Sequence, residues 1–122
     1  MTFVTADSCR TQLERLTQLL VSAFPGSTVY QHTDLCRVPH DILNNKVDAV
    51  FLETEVDESN SLDFVRMLHR QKKSLPVFII SQTEDLREEA AKVGVNDYFV
   101  QPVTEQQLRD AIQSVKDKEN AS

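Results

Sequence analysis

Apolar and polar residues alternate along the chain with two different periods. Five short apolar runs, rich in β-branched and aromatic residues, have the length and composition of buried β-strands. They lie at 3–5, 27–30, 47–52, 76–80 and 97–100. Between these runs the apolar residues recur every three to four positions, as they do on one face of an α-helix. The pattern therefore predicts five strands that alternate with five helices.

Capping and helix-breaking residues mark where the predicted helices begin and end. Pro25-Gly26 stops the first helix and Gly94 stops the fourth, because neither residue type continues a helix well. Pro39 weakens the second helix, which spans 34–43. Gln107 completes a capping box at the start of the fifth helix. The predicted starts lie at Asp7-Ser8, Asp34, Asn60 or Ser61, Thr83-Glu84-Asp85 and Thr104.

Strands and helices that alternate at this spacing form a parallel sheet whose right-handed crossovers place helices on both faces. The predicted fold class is therefore α/β, a three-layer, doubly wound, five-stranded parallel sheet. In such sheets, ligands and chemistry gather outside the carboxyl ends of the strands. Glu53 stands at that edge, where the run 47–52 stops at a cluster of carboxylates. The other strand ends bring Thr5-Ala6-Asp7, Ser81 and Gln101 to the same edge.

Composition indicates one globular domain with an acidic surface. The 122 residues are 40% apolar and 26% charged, and the formal net charge is -6. An acidic chain is poorly suited to the phosphate backbone, so we expect no direct nucleic-acid partner. No apolar run reaches the roughly 20 residues that span a bilayer, and the N-terminus lacks a signal-peptide pattern, so we expect no membrane contact and a cytoplasmic location. The domain is placed at 1–117, followed by a frayed tail at 118–122.

The cysteines and histidines do not complete a metal site or a disulfide in the sequence. His32, Cys36 and His40 recur every four residues, a spacing that can present ligands along one helical face. Pro39 interrupts that helix, and no fourth ligand stands out. Cys9 and Cys36 form no CxxC pair, so we expect reduced thiols. No cofactor is expected.

Three segments near the predicted site carry recognisable motifs. Residues 76–81 read Pro-Val-Phe-Ile-Ile-Ser, residues 94–102 read Gly-Val-Asn-Asp-Tyr-Phe-Val-Gln-Pro, and residues 53–61 begin with a glutamate. They resemble Pro-Val-Ile-x-Leu-Thr/Ser, Gly-Ala-x-Asp-Tyr-Leu-x-Lys-Pro and, without a gap, Asp-Ile-x-Met-Pro-x-Met-Asp-Gly of response-regulator receiver domains. The resemblance extends from Phe3 to about Lys116. It implies the CheY-like version of the flavodoxin fold, with the strand order 2-1-3-4-5.

The resemblance implies a role for three residues of the site. Glu53 occupies the position of the aspartate that accepts a phosphoryl group in the family. Ser81 corresponds to the hydroxyl that senses the phosphoryl oxygen, and Tyr98 to the aromatic residue that rotates with it. A glutamate is longer than an aspartate by one methylene, which displaces its carboxylate by about 1.5 Å. Gln101 is expected to donate a hydrogen bond to that carboxylate.

The same alignment shows where the chain departs from the family. The acidic pair that holds Mg²⁺ in receivers aligns with Thr5 and Ala6, which leaves Asp7 as the nearby carboxylate and a degenerate metal pocket. Gln101 replaces the lysine of the family pattern. Pro102 follows it, and the family's Lys-Pro turn implies a cis peptide at this position.

A site that lacks the metal and the cation loses the groups that stabilise phosphoryl transfer. We therefore expect a receiver-like module of two-component or phosphorelay signalling that works without phosphorylation, by protein contact. We expect it to be no enzyme and to bind Mg²⁺ weakly if at all. Glu53 either mimics the phosphorylated state or is inert. Two alternatives stay open: a receiver phosphorylated on Glu53 or a neighbouring acid, and a small-ligand module of flavodoxin type.

The resemblance also implies a contact face, made of the fourth helix, fifth strand and fifth helix, where receivers usually dimerise or meet effectors. The residues assigned to it are Arg87, Asp97, Tyr98, Arg109 and Asp110. Opposite charges among these residues are placed so that they can form cross-pairs between the elements, although surface charges of this kind are more often unpaired. The implied partners are proteins: an effector domain, a histidine kinase, another receiver, or a second copy of this chain through the same face.

Overall fold

Seven strands, five of them in one parallel sheet, and five helices are found in the computed structural model, which describes residues 1–71 and 74–121. The strands are β1 (Thr2–Ala6), β2 (Thr28–His32), β3 (Ala49–Glu53), β4 (Glu55–Val56), β5 (Ser59–Asn60), β6 (Val77–Ser81) and β7 (Asp97–Val100). The helices are α1 (Arg10–Ala23), α2 (Val38–Asn44), α3 (Ser61–Gln71), α4 (Arg87–Val93) and α5 (Glu105–Ala121).

The main sheet has the order β2-β1-β3-β6-β7, and all of its pairs are parallel. This is the predicted order 2-1-3-4-5 once the separate β4–β5 hairpin is set aside, so the predicted fold class is confirmed. The register pairs Ala6 with Leu52, Glu53 with Ile80, and Ser81 with Val100. The carboxyl ends of β1, β3, β6 and β7 therefore finish almost level, at one edge of the sheet.

The sheet is buried on both faces, which explains why its central strands read as continuous apolar runs. One face packs against α2, α3 and α4, and the other against α1 and α5. Four phenylalanines, one from each of β1, β3, β6 and β7, form a row on the α1–α5 face. The ring centroids of Phe3 and Phe51 are 5.9 Å apart, those of Phe51 and Phe78 5.0 Å, and those of Phe78 and Phe99 6.0 Å.

Two helices begin later than predicted. α2 begins at Val38 rather than at 34, with Pro39 in its first turn. A proline there forfeits no hydrogen bond, so it opens the helix instead of interrupting it. α4 begins at Arg87 rather than at Thr83, because the intervening residues form turns. Its predicted end is confirmed, since Gly94 has φ 95° and its N–H donates to the Ala90 carbonyl at 3.2 Å.

The acidic segment after β3 forms a tight hairpin that the sequence did not predict. β4 and β5 pair antiparallel, and the turn between them places Asp57 at φ 48° and Glu58 at φ 65°. Both residues are thus in the left-handed region, which non-glycine residues rarely occupy. Ser8 accepts a hydrogen bond from the Asp57 N–H at 2.7 Å, so it secures this turn instead of capping α1.

The remaining local predictions concern the C-terminal part and the thiols. The capping box is confirmed, because the Thr104 N–H donates to Gln107 Oε1 at 2.9 Å and the Gln107 N–H donates to Thr104 Oγ1 at 3.1 Å. The cis peptide at Gln101–Pro102 is confirmed. α5 reaches Ala121, so residues 118–121, predicted as a frayed tail, are helical. Cys9 and Cys36 are free and exposed, as expected.

Neither a metal cluster nor a membrane span occurs in the described part of the chain. Within residues 1–71 and 74–121, no three His, Cys, Asp or Glu side chains are grouped so that they could hold a metal. His32 instead pairs with Asp41 of α2, and His40 lies 3.6 Å from the same carboxylate. None of the helices described combines the length and apolar character that crossing a bilayer requires.

The phenylalanine row gives a direct test of the packing. Replacing Phe78, which is 1% exposed and lies between Phe51 and Phe99, by alanine is expected to lower the free energy of unfolding by about 3–5 kcal/mol, because it opens a cavity in the core. Urea unfolding measures the change. The matched variant Val21→Ala alters a side chain on α1 that is 41% exposed and is expected to change stability by less than about 0.5 kcal/mol. A similar small loss for Phe78→Ala would contradict this packing.

Candidate functional site

Glu53 and Asp7 lie side by side because β1 and β3 are parallel neighbours whose carboxyl ends are level. Glu53 is the last residue of β3 and is half-buried, whereas Asp7 directly follows β1 and is 6% exposed. The Asp7 N–H donates to the His32 carbonyl at 3.1 Å, and Asp7 Oδ1 accepts the Cys9 N–H at 2.8 Å. The aspartate is thus fixed at both backbone and side chain, facing the longer glutamate.

Ser61 fixes the other end of Glu53. This serine is fully buried at the start of α3, and its hydroxyl donates to the Glu53 carbonyl. Its N–H donates to the Thr54 carbonyl at 3.0 Å. Ser61 therefore sets the path of the chain as it leaves the sheet. The sequence marked it only as a helix start.

The carboxyl of Glu53 has a pKa raised from 4.5 to about 7. Burial is the largest cause, followed by the hydrogen bond to Asp7 and the negative charge of Asp7, with a smaller contribution from Glu55. The backbone N–H of Ser8 acts in the opposite direction and lowers it. None of these groups is a cation. The Glu53 carboxyl, beside Asp7, therefore keeps its proton up to about pH 7.

Thr5 and Ala6 do not line the site, so their assignment to the metal pocket was wrong. β1 extends to Ala6, which places both residues inside the sheet, at 0% and 2% exposure. The Thr5 hydroxyl is buried and has no hydrogen-bond partner among the described residues. Asp7 is the member of the predicted pocket that reaches the carboxyl edge, because it is the first residue beyond the strand.

Gln101 and Pro102 follow β7 and approach the pair from the side of α1. The Gln101 N–H donates to the Ser81 carbonyl at 2.8 Å. Its side chain lines a small pocket of about 30 Å³ together with Asp7, Arg15 and Pro102. In residues 1–71 and 74–121 its amide makes no hydrogen bond to Glu53, contrary to expectation. Gln101 thus neighbours the acidic pair without bonding to Glu53.

Ser81 and Tyr98 are joined to each other through Thr83 rather than to Glu53. Ser81 Oγ accepts the Thr83 N–H at 3.2 Å, and Tyr98 Oη donates to the Thr83 carbonyl at 2.6 Å. Both side chains are buried, at 4% and 3% exposure. Ile80 is the register partner of Glu53, and successive strand residues point to opposite faces, so Ser81 and Glu53 project to different sides of the sheet.

The five residues assigned to the contact face lie on α4, β7 and α5, and no ion pair joins them to one another in residues 1–71 and 74–121. Arg87 pairs with Glu84, and Arg109 Nη2 pairs with Glu105 Oε1 at 2.7 Å, so the ion pair of each arginine lies within its own segment. The two aspartates also have local partners: Asp97 accepts the Tyr98 N–H at 2.8 Å and Asp110 accepts the Gln106 amide at 2.8 Å. Four of the five predicted residues line one groove of about 370 Å³: Arg87, Asp97, Tyr98 and Asp110. Arg109 is outside it.

The fold and the site define a doubly wound α/β domain with an acidic pair at the carboxyl edge, and the comparisons assign its family. The response regulator receiver domain model matches residues 4–113. The Chemotaxis protein CheY homolog of Campylobacter jejuni subsp. jejuni is 31% identical over 96 residues, which cover 69% of this chain and 73% of that protein. The chain therefore belongs to the response regulator receiver domain family, which acts in two-component signalling.

Solved structures agree with the fold. A response regulator receiver domain protein from Clostridium thermocellum has a TM-score of 0.86 and 22% identity, covering 98% of this chain and 97% of that one. A two-component response regulator from Clostridium difficile has a TM-score of 0.85 and 16% identity, covering 98% of each chain. At this identity the likeness concerns the fold alone.

The raised pKa of Glu53 predicts a stability that falls as the pH rises. The unfolded chain releases this proton near 4.5, while the folded chain keeps it to about 7, so the folded state loses stability over that interval and levels off above it. Replacing Glu53 by glutamine is expected to stabilise the protein by about 1 kcal/mol at pH 8, after a discount for solvent screening, and to change little at pH 4. Urea unfolding at both pH values measures the difference.

The control for this experiment is Glu14→Gln, which removes an exposed carboxylate on α1 that is not among the groups shifting the Glu53 pKa. We expect its effect to be small and nearly the same at both pH values. A gain for Glu53→Gln that does not depend on pH would contradict the raised pKa of Glu53.

Proposed function

We propose that this receiver domain signals through protein contacts and is not phosphorylated efficiently at Glu53. The observation that carries the proposal is the pairing of Glu53 with Asp7, because the groups that shift the Glu53 pKa are carboxylates and a backbone N–H. Phosphoryl transfer depends on positioning and on neutralising the charge that develops. A protonated Glu53 beside Asp7 provides no fixed cation for the site. Below neutral pH its carboxyl is also not a free nucleophile.

The length of the Glu53 side chain adds a second obstacle. Its carboxylate is displaced by about one carbon–carbon bond from the place an aspartate would give it, roughly 1.5 Å. A displacement of this size costs on the order of a hundredfold in a reaction that depends on alignment. Gln101 provides an amide where the family pattern has a lysine, so it cannot form an ion pair with the incoming phosphoryl group.

The family also implies a magnesium ion, and Asp7 and Glu53 are the residues that would hold it. Mg²⁺ is commonly bound by one or two carboxylates with water completing the octahedron, which this pair can supply. When bound, the ion supplies neutralisation of phosphoryl charge. Glu53 must lose its proton before the two carboxylates can hold Mg²⁺. We therefore propose that Mg²⁺ binds weakly and competes with protons.

The surface formed by α4, β7 and α5 is the proposed contact site. It carries the 370 Å³ groove described above and exposed charges of both signs. The partner is proposed to be a protein, namely an effector domain, a histidine kinase, another receiver or a second copy of the chain. In this account the domain has no catalytic activity of its own and works in the cytoplasm.

Two other functions are weighed against this one. A receiver phosphorylated on Glu53 or a neighbouring acid is favoured by one observation, the survival of two adjacent carboxylates at the edge of β1 and β3. A flavodoxin-type ligand module finds less support, because the pocket beside Asp7 and Gln101 holds about 30 Å³ and sites for small molecules typically have about 300–1,000 Å³.

Incubation with a small phosphodonor and Mg²⁺, followed by intact-mass measurement, tests the proposal. The wild-type chain is expected to show no stoichiometric phosphoryl adduct, because the aligned acceptor and the cation are both absent. The variant Glu53→Asp combined with Gln101→Lys restores two of the family residues beside Asp7 and is expected to gain the adduct. It serves as the positive control for the conditions. A metal-dependent adduct on the wild-type chain would overturn the proposal and establish the alternative.

Magnesium affinity should rise with pH. Between pH 6 and pH 8 the Glu53 carboxyl loses its proton, so Mg²⁺ is expected to bind more tightly at the higher pH. Amide chemical shifts of Ser8 and Thr54, followed during a MgCl₂ titration, report occupancy. Asp7→Asn removes one carboxylate and is expected to abolish the response at both pH values. Equal affinity at pH 6 and pH 8, or an unchanged response in Asp7→Asn, would contradict the competition.

A further inference from the structure

Arg87, the first residue of α4, contacts Tyr98 of β7 in two ways. Its guanidinium carbon lies 5.0 Å from the centroid of the tyrosine ring, which is the geometry of a cation–π contact. Its Nη1 donates to the Tyr98 carbonyl at 3.0 Å. The guanidinium therefore covers the ring of Tyr98 and also donates a hydrogen bond to the backbone carbonyl of Tyr98.

Glu84 fixes the orientation of this guanidinium. Arg87 donates from Nε to one carboxylate oxygen and from Nη2 to the other, the latter at 3.1 Å. This two-bond fork lowers the pKa of Glu84 and raises that of Arg87. An exposed ion pair alone contributes little to stability, and here the side chains of Arg87 and Glu84 are 47% and 65% exposed. Its effect is to position the guanidinium over Tyr98.

The hydroxyl end of Tyr98 is held by the same segment. Tyr98 Oη donates to the Thr83 carbonyl at 2.6 Å, and the Thr83 N–H donates to Ser81 Oγ at 3.2 Å. Residues 83–87 therefore contact Tyr98 at its hydroxyl, its ring face and its backbone carbonyl. The ring cannot turn outward until the guanidinium moves and the hydroxyl bond breaks. None of these contacts includes Glu53.

We propose that Arg87 is a positioning residue that keeps Tyr98 in its buried rotamer, whatever the charge at Glu53. Two grooves, of about 370 and 150 Å³, meet at this point and share Arg87, Asp97 and Tyr98 as lining residues. Fixing the tyrosine therefore fixes the shape of both grooves. The value of this for signalling rests on the proposed function, whereas the conformational claim rests on the contacts alone.

Fluorine NMR of protein labelled with 3-fluorotyrosine tests the claim, because the chain has two tyrosines and no tryptophan. Tyr30→Phe assigns the two resonances. Wild-type protein is expected to give one sharp Tyr98 signal with a small solvent isotope shift. Arg87→Ala is expected to broaden or move that signal and to increase its isotope shift several-fold, as the ring gains access to water. Arg87→Lys keeps a cation and is expected to restore part of the wild-type signal.

Arg109→Ala is the matched control. Arg109 is 44% exposed and pairs with a glutamate on its own helix, as Arg87 does within its segment, but it has no contact with Tyr98. Its loss should leave the Tyr98 signal in place. Glu84→Gln removes the fork without removing Arg87 and is expected to broaden the same signal, which keeps the claim testable should Arg87→Ala fail to fold. An unmoved Tyr98 signal in both Arg87→Ala and Glu84→Gln would overturn the proposal.

Glu53→Gln separates this inference from the proposed function. It is expected to leave the Tyr98 signal unchanged, and a shift as large as that of Arg87→Ala would refute the independence from Glu53. The phosphodonor experiment gives its own answer by mass. A mobile Tyr98 in a chain that is not phosphorylated would therefore count against the positioning role alone.

Discussion

Asp7 and Glu53 meet carboxyl to carboxyl because two parallel strands end level with each other. The register of β1 against β3 places these two acids next to each other, and burial removes the water that would otherwise screen their charges. The repulsion between two adjacent carboxylates can be relieved by a metal ion, a lysine or a proton. In this chain the groups around Glu53 favour the proton, as its raised pKa shows. In the proposed function, this proton weakens the phosphoryl transfer that the family pattern suggests.

The sheet separates the acidic pair from the side chains that would report on it. Glu53 projects toward the α1–α5 layer, whereas Ser81 and Tyr98 belong to the other face and are tied together by Thr83. A signal from the acid to the contact face would have to pass through the strand ends. The short segment before α4 instead supplies its own contacts to Tyr98, which supports the proposal that the rotamer of this tyrosine does not depend on the charge at Glu53.

The central strands of the sheet were predictable from the sequence because they are buried on both sides. Two-sided burial produces unbroken apolar runs, and the run at 76–80 nearly coincides with β6, whose residues are all buried. Helix starts were less predictable, since Pro39 reads as a breaker in sequence but occupies the first turn of α2. The hairpin after β3 was missed because Asp57 and Glu58 occupy its turn. Glycine or asparagine at these positions would have predicted a hairpin.

The site was predicted in outline and corrected in detail. Strand order brought Glu53, Ser81 and Gln101 to one edge, but a one-residue shift in the end of β1 moves Ala6 into the core and gives Asp7 the position at the edge. Partner choice among charged side chains was beyond sequence reasoning. Arg87 and Arg109 each form an ion pair with a glutamate three or four residues away in the chain, and not with a carboxylate on another element.

The central claim is that the Glu53 carboxyl, beside Asp7, keeps its proton up to about pH 7. A carbon-detected NMR titration of the side-chain carboxyls, assigned with Glu53→Gln, measures this directly. The account predicts a Glu53 carboxyl that titrates near 7. A Glu53 carboxyl that titrates at its ordinary value near 4.5 would contradict it.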